Sequence, residues 1–343
     1  LESKIKHLKN TLYKNNINLN KLTENLVNLK KIIVICGPTC TGKSKIGIIM
    51  AKLLDTDIIS MDSMQVYKGM NIGTDKYNTK KYNVKQYMID IFNPDHNLSV
   101  IEFKEICDEI IKINFFSLNK IPLLVGGSGL YIRSVINGID KVPDESREIR
   151  EKIKEGIKKN GIRKYYLKLM EIDKEYAKKI SENDQRRIVR ALEVYGKTGL
   201  PFSSFQKVWK NKKQTYDAIL IGIKMERSKL YRRIEERVEK MFKNGLVDEV
   251  RELISKGYKN CRSIMQAVGY KEVLKYLNGK TTLENCMDEV KKNTRRLAKK
   301  QMTWFNADPK INWLIADNYD NIFYLITDIF KIIESKYLKD VKN

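Results

Sequence analysis

Histidine is nearly absent: His7 and His96 are the only two in 343 residues. Imidazole-based metal centres and catalytic triads with a His base are thereby excluded, and acid–base chemistry falls to carboxylates. Cysteine is scarce too. Cys36, Cys40, Cys107, Cys261 and Cys286 are odd in number and show no C-x-x-C spacing, which argues against a disulfide framework and for a reducing compartment. No apolar run approaches the ~18 residues that a membrane-spanning helix needs. None exceeds five residues, and the run Ile32–Cys36 is stopped by Gly37 and Pro38, so no membrane partner is expected. Linkers rich in Gly or Pro are missing, as are internal repeats.

What is abundant is positive charge. Lys and Arg number 66 against 42 Asp and Glu, a formal net charge of +24. Such an excess fits a polyanionic partner, because each cation that neutralises a phosphate releases condensed counterions. Composition alone leaves open whether this is a binding surface or a bias toward Lys and Asn. With 42% hydrophobic residues the chain can bury a large core, as one domain with an insertion or as two.

Along the chain, 31–36 (KIIVIC) reads as a buried strand running into a Gly-Pro loop and a helix over 43–54. Strand-like runs follow at 57–61, 86–91 and 121–125, with a helix over 100–116 between them. Strands alternating with helices predict a parallel α/β sheet covered on both faces. Residues 148–197 are charged and helical throughout, a helical insertion. A strand at 218–225, helices over 227–244 and 283–305, a short run at 311–315 and a last amphipathic helix complete the pattern. The first 30 residues carry six Lys against two Glu, with Ile5, Leu8 and Leu12 near helical spacing. That segment reads equally as a transit-peptide remnant or as a leading amphipathic helix.

The sharpest motif is GPTCTGKS at 37–44, which fits G-x-x-x-x-G-K-[ST] in full between a strand and a helix. Its glycines let successive N–H groups turn inward, and the helix N-terminus adds positive potential for a bound oxyanion. Lys43 is expected at the outer phosphate and Ser44 at a Mg²⁺ ion. By itself the loop fits a nucleotide or small-molecule kinase equally well, although such an enzyme has no use for the basic excess. A non-catalytic RNA-binding protein would leave the loop unexplained. Asp62 and Asp90 each end a strand candidate, where α/β folds place ligand-facing groups, but a cap or turn role fits both as well.

Seven ordered blocks carry a resemblance: GPTCTGKS (37–44), DSMQVYKGMNIGT (62–74), LLVGGSGLYI (123–132), NDQRRIVRALEVY (183–195), RRIEERVEKM (232–241), QAVGYKE (266–272) and RRLAKKQMTWF (295–305). Together, over residues 31–315, the chain resembles the tRNA dimethylallyltransferase family. The resemblance implies a P-loop NTPase-like core over 31–145 and 216–343, a helical insertion at 146–215 that contacts tRNA, and an extension at 1–30. It implies transfer of a dimethylallyl group from dimethylallyl diphosphate to N6 of the adenosine 3′ of the anticodon. In that reading Gly37, Thr39, Cys40, Thr41, Gly42, Lys43 and Ser44 hold the diphosphate, with Mg²⁺ at Ser44. Asp62 is the base, and Lys43 and Arg237 stabilise the leaving group. tRNA contacts are implied for Asp62, Ser63, Met64, Gln65, Ser128, Arg150, Arg186, Arg187, Arg190, Gln266, Gly269 and Lys271. A monomer in the cytoplasm or an organelle matrix is expected. The chain departs from the family pattern at Cys40 and Thr41, where smaller residues are usual, and at Gln266 and Lys271. The zinc finger of some eukaryotic relatives has no counterpart, since no Cys or His follows Cys286.

Overall fold

The computed structural model describes residues 2–206 and 214–341, so the part of the expected insertion at 207–213 lies outside the described residues. Six parallel strands form one sheet: β1 (Ile32–Cys36), β2 (Ile58–Met61), β3 (Gln86–Tyr87), β4 (Leu123–Gly126), β5 (Ala218–Lys224) and β6 (Asn312–Ile315). Their order is β3-β2-β4-β1-β5-β6. β1 lies centrally, Val34 opposite Leu124 on one side and Leu220 on the other. This is the parallel α/β sheet that the alternating pattern predicts.

The helices are α1 (Glu2–Lys14), α2 (Leu19–Asn28), α3 (Lys43–Leu53), α4 (Val100–Ile110), α5 (Gly129–Asn137), α6 (Arg147–Asn160), α7 (Ile162–Ile172), α8 (Lys174–Ala177), α9 (Gln185–Thr198), α10 (Arg227–Lys243), α11 (Leu246–Ser255), α12 (Arg262–Gln266), α13 (Tyr270–Leu277), α14 (Leu283–Asn306) and α15 (Ile322–Val341). Side-chain caps fix several starts: Ser99 Oγ accepts from Glu102 N–H before α4, and Thr282 Oγ1 from Asn285 N–H before α14.

Strand periodicity of two divides the core. Val34, Cys36, Ile59, Met61, Leu124 and Leu220 face one side, against Phe103, Val250, Ile264 and Tyr270 of α4, α11, α12 and α13. Ile33, Ile35, Ile58, Val125 and Ile221 face the other, against α1, α2, α3 and α15. The leading helices belong to this second layer. Leu8, Leu12, Leu22 and Leu26 are buried there, each worth about 1.5–3 kcal/mol in apolar burial.

The chain divides into two compact units, residues 1–136 with 216–343, and residues 137–215. The second unit has its own small core, Leu169, Tyr176, Ala177, Ile188, Ala191 and Leu192.

Two expected elements are shorter than the hydrophobic pattern suggests. The strand at 86–91 ends at Tyr87, because Met88 and Asp90 take left-handed φ of 58° and 53°. Asp90 therefore does not end a strand; its N–H donates to Gln65 O at 3.1 Å and its Oδ1 accepts from Lys76 Nζ at 2.5 Å. The helix expected over 100–116 is α-helical only to Ile110, after which residues Ile111–Phe115 form a π turn.

Candidate active site

Three edges meet at one cleft of about 650 Å³ in the first unit. The phosphate loop and the N-terminus of α3 form one edge, and the segment after β2 forms another. The third is the inward face of α10, with Gln301 of α14.

The loop's backbone is set by Gly37, whose φ is +137°. A Cβ there would lie 2.2 Å from Ile223 O, so only glycine fits. Thr41 Oγ1 donates to Pro38 O at 3.0 Å. Lys43 is buried and its ammonium also donates to Pro38 O. The Lys43 pKa is lowered from 10.5 to about 8, above all by burial and in smaller part by Arg237, against the upward pull of Cys40, Cys36 and Asp62. Arg237 reaches in from α10, its Nη1 donating to Thr39 Oγ1 at 2.7 Å and lying 3.3 Å from Asp75 Oδ2. Its buried Nε has no partner. A cation held ready with a spare donor is what a departing phosphate group needs.

At the second edge, Asp62 follows β2 as the sequence places it. Its Oδ1 accepts from Met64 N–H at 2.8 Å, a local turn that fixes the carboxylate. Ser63 N–H approaches Ser128 Oγ at 3.4 Å, so these two expected contacts stand side by side. Gln65 is held at both ends: Ser60 Oγ donates to its Oε1 at 2.9 Å, and its Nε2 donates to Thr74 O at 3.1 Å. Met64 is half-buried beside them. The structure thus brings Asp62 and Gln65 to the same cleft as Thr39, Cys40, Gly42, Lys43, Ser44 and Arg237.

Gln301 was not singled out by the sequence, although it lies in a quoted block. Its Oε1 accepts from Thr39 N–H at 2.9 Å and its Nε2 donates to Gly127 O at 3.0 Å. It joins the phosphate loop to the turn that carries Ser128. The available signal was one uncharged amide in the basic run RRLAKKQ.

No group of three or more His, Cys, Asp or Glu converges as a metal centre among the described residues. Ser44 is exposed at the head of α3 and lines the cleft. One hydroxyl completed by phosphate oxygens and water is a donor set that suits Mg²⁺, which keeps much of its hydration.

Other expected tRNA residues lie elsewhere. Gln266 is exposed, Gly269 has φ +95°, and Lys271 Nζ lies 3.6 Å from Glu272 Oε1. Glu272 is buried and also accepts from Gly269 N–H and Asn293 Nδ2, both at 2.7 Å. In the second unit Arg186 and Arg187 are exposed on α9. Arg150 and Arg190 instead converge on buried Glu193, at 2.8 and 3.1 Å. Arg190 Nη2 also donates to Pro143 O at 2.5 Å, and Arg150 pairs with Glu145. The basic stripe of α14 divides likewise: Lys291 and Arg295 pair with Glu239 and Glu235 of α10, while Lys292, Arg296, Lys299 and Lys300 face solvent.

Known proteins resemble this chain in sequence and fold. The model of the IPP transferase family matches residues 65–308, and that of isopentenyl transferase residues 30–90. A tRNA dimethylallyltransferase of Caldanaerobacter subterraneus is 43% identical over 310 residues, covering 89% of this chain and 98% of the relative. The solved tRNA isopentenylpyrophosphate transferase of Bacillus halodurans is 35% identical, with a TM-score of 0.67 over 91% of this chain and 98% of its own. A eukaryotic dimethylallyltransferase solved acting on tRNA is 28% identical, with a TM-score of 0.68 over 83% of this chain and 74% of that one.

Proposed function

The chain belongs to the IPP transferase family, the tRNA dimethylallyltransferases, and from that premise we propose that it moves a dimethylallyl group from dimethylallyl diphosphate to N6 of the adenosine immediately 3′ of the anticodon. It is a transferase that modifies tRNA. The observation that carries the finer reading is the cleft itself. A phosphate loop backed by Lys43 and Arg237 faces the same space as the carboxylate of Asp62.

In this reading N6 attacks the first carbon of the prenyl group, the C–N bond forms as the C–O bond to diphosphate breaks, and Asp62 receives the proton from N6. An exocyclic aromatic amine is a weak nucleophile, so a carboxylate at its N–H lowers the barrier. The departing diphosphate keeps the bonding electrons, and Lys43, Arg237 and the loop N–H groups receive its charge. A Mg²⁺ for which Ser44 would be the protein ligand would supply further neutralising charge. The target base must leave the anticodon-loop stack to reach Asp62, and in this reading Gln65 in the cleft and the neighbouring Ser63 and Ser128 contact it. Arg186, Arg187, Gln266, Gly269 and Lys271 are taken as contacts to the RNA outside the cleft, with Arg150 and Arg190 shaping the arginine-bearing surface. We take the enzyme to act as a monomer in a reducing compartment, the cytoplasm; no helix among the described residues is long and apolar enough to cross a membrane.

The test is incubation of the chain with unmodified tRNA, Mg²⁺ and either dimethylallyl diphosphate or ATP, followed by nucleoside mass analysis. Prenylated adenosine with the first donor alone is expected. Phosphate transfer from ATP without prenylation would overturn the reading in favour of a kinase.

A further inference from the structure

Asn71, Ile72 and Gly73 form a short loop along the cleft whose backbone is tied to a distant helix by one side chain. Glu249 of α11 accepts from Asn71 N–H at 2.9 Å and Ile72 N–H at 2.7 Å through Oε2. Its Oε1 accepts from Gly73 N–H at 3.2 Å and from Tyr270 Oη at 2.6 Å. Successive N–H groups converging on one point make an anion-binding concavity. Here the chain supplies the anion itself. The ring of Tyr270 is fully buried against the same loop: a Cβ at Gly73 would lie 2.3 Å from its Cε2.

The residues next in the chain serve both halves of the cleft. Thr74 O accepts from Gln65 Nε2 at 3.1 Å, which orients the amide beside Asp62. Asp75 Oδ2 lies 3.3 Å from Arg237 Nη1, the cation on the phosphate loop. A shift at 71–73 therefore moves the partner of an acceptor-side group and the partner of a donor-side group together. Neither Glu249 nor Tyr270 lines the cleft.

We propose that Glu249, oriented by Tyr270, is a positioning residue for prenyl transfer: it clamps the 71–73 loop so that Thr74 and Asp75 hold Gln65 and Arg237 in reacting geometry. The inference rests on the functional reading above and deepens it. Glutamine at 249 keeps the size but replaces one acceptor oxygen with an NH₂ that faces backbone donors, so the loop loses its anchor. Misplacement of this kind is costly, since an error near 1 Å in positioning lowers rates by about 100-fold.

The experiment compares the unchanged chain, Glu249→Gln, Gln65→Ala and the double variant at saturating donor, with tRNA affinity measured separately. Expected are a fall in kcat of at least about tenfold for Glu249→Gln, unchanged tRNA affinity for that variant, and a loss in the double variant smaller than the product of the two single losses, because the part of the Glu249 effect that runs through Gln65 is already gone. A merely structural role lowers the active fraction by the same factor whatever stands at 65. The two losses would then multiply, and that result overturns the proposal. So does a kcat for Glu249→Gln within about twofold of the unchanged chain. Should Glu249→Gln not fold, Tyr270→Phe removes one hydrogen bond and enters the same cycle, with the same expected coupling and the same overturning result. Absence of prenyl transfer by the unchanged chain overturns the functional reading and this inference with it, whereas transfer that is indifferent to Glu249 overturns the inference alone.

Discussion

Lys43 carries a consequence that can be read from pH. Its pKa lies near 8 rather than 10.5 because burial disfavours the ammonium. Below about 8 the free enzyme holds the charge that a diphosphate needs. Above it the proton is lost, and donor binding must take one up, so donor affinity falls as pH rises, by up to about tenfold per unit. A donor KM that stays flat to pH 10 would contradict this. The stability effect has the opposite sense: between about 8 and 10.5 the unfolded chain binds more protons, so the penalty for burying the charge is present in full below 8 and relieved as pH rises. Asp62 gives a second residue-scale expectation. Asp62→Ala should lower kcat by at least about 100-fold while tRNA affinity stays near its original value, because the base acts on the reaction more than on docking. Single-turnover prenylation and filter binding on the same preparation separate the two; normal turnover with weakened binding would remove Asp62 from the base role.

Among elements, the β1–α3 loop and the α9 helix make different demands. Gly37 combines a left-handed φ with backbone contact against Ile223, so Gly37→Ala should cost at least about 2 kcal/mol, and thermal melting of the variant checks it. In α9, Glu193 is fully buried and accepts from Ser146 N–H at 2.6 Å as well as from Arg150 and Arg190. Glu193→Ala would leave two partly buried guanidinium groups without their shared carboxylate, a loss of about 3–5 kcal/mol. Denaturant unfolding followed within residues 137–215 should show it, and an unchanged midpoint would mean that the arginines find other partners.

For the whole molecule the governing quantity is the charge of +24. Salt bridges occupy some of it, as with Lys291, Arg295 and Arg187, the last lying 3.4 Å from Asp184, but Arg186, Lys292, Arg296, Lys299 and Lys300 remain exposed. tRNA affinity should therefore fall steeply with salt, with a log–log slope of about −3 or steeper if several phosphates are neutralised. A flat response would show that the excess charge does not engage RNA.

Much of this was written in the sequence. GPTCTGKS sits between a β-branched strand and a helix, and that local order specifies the phosphate loop without help from the rest of the chain. The alternation of short apolar runs with amphipathic helices likewise determined a parallel sheet covered on both faces, since the period of an apolar pattern reports how a segment is buried. Periodicity carries no record of pairing at a distance. So the end of β3 at Tyr87, set by the left-handed φ of Met88 and Asp90, and the π turn after Ile110 were not legible. The helical spacing of Ile5, Leu8 and Leu12 was legible in the leading 30 residues, but their packing in the layer of α3 and α15 was not. The contacts of Gln301, Glu193 and Glu249 were decided by tertiary structure alone, because hydrogen bonds spanning 262, 47 and up to 178 residues leave no local signature. The sequence determined which groups could do the chemistry, through residue type and short-range spacing. Which of them face one another, and which are held in ion pairs, was decided only when packing closed those long separations.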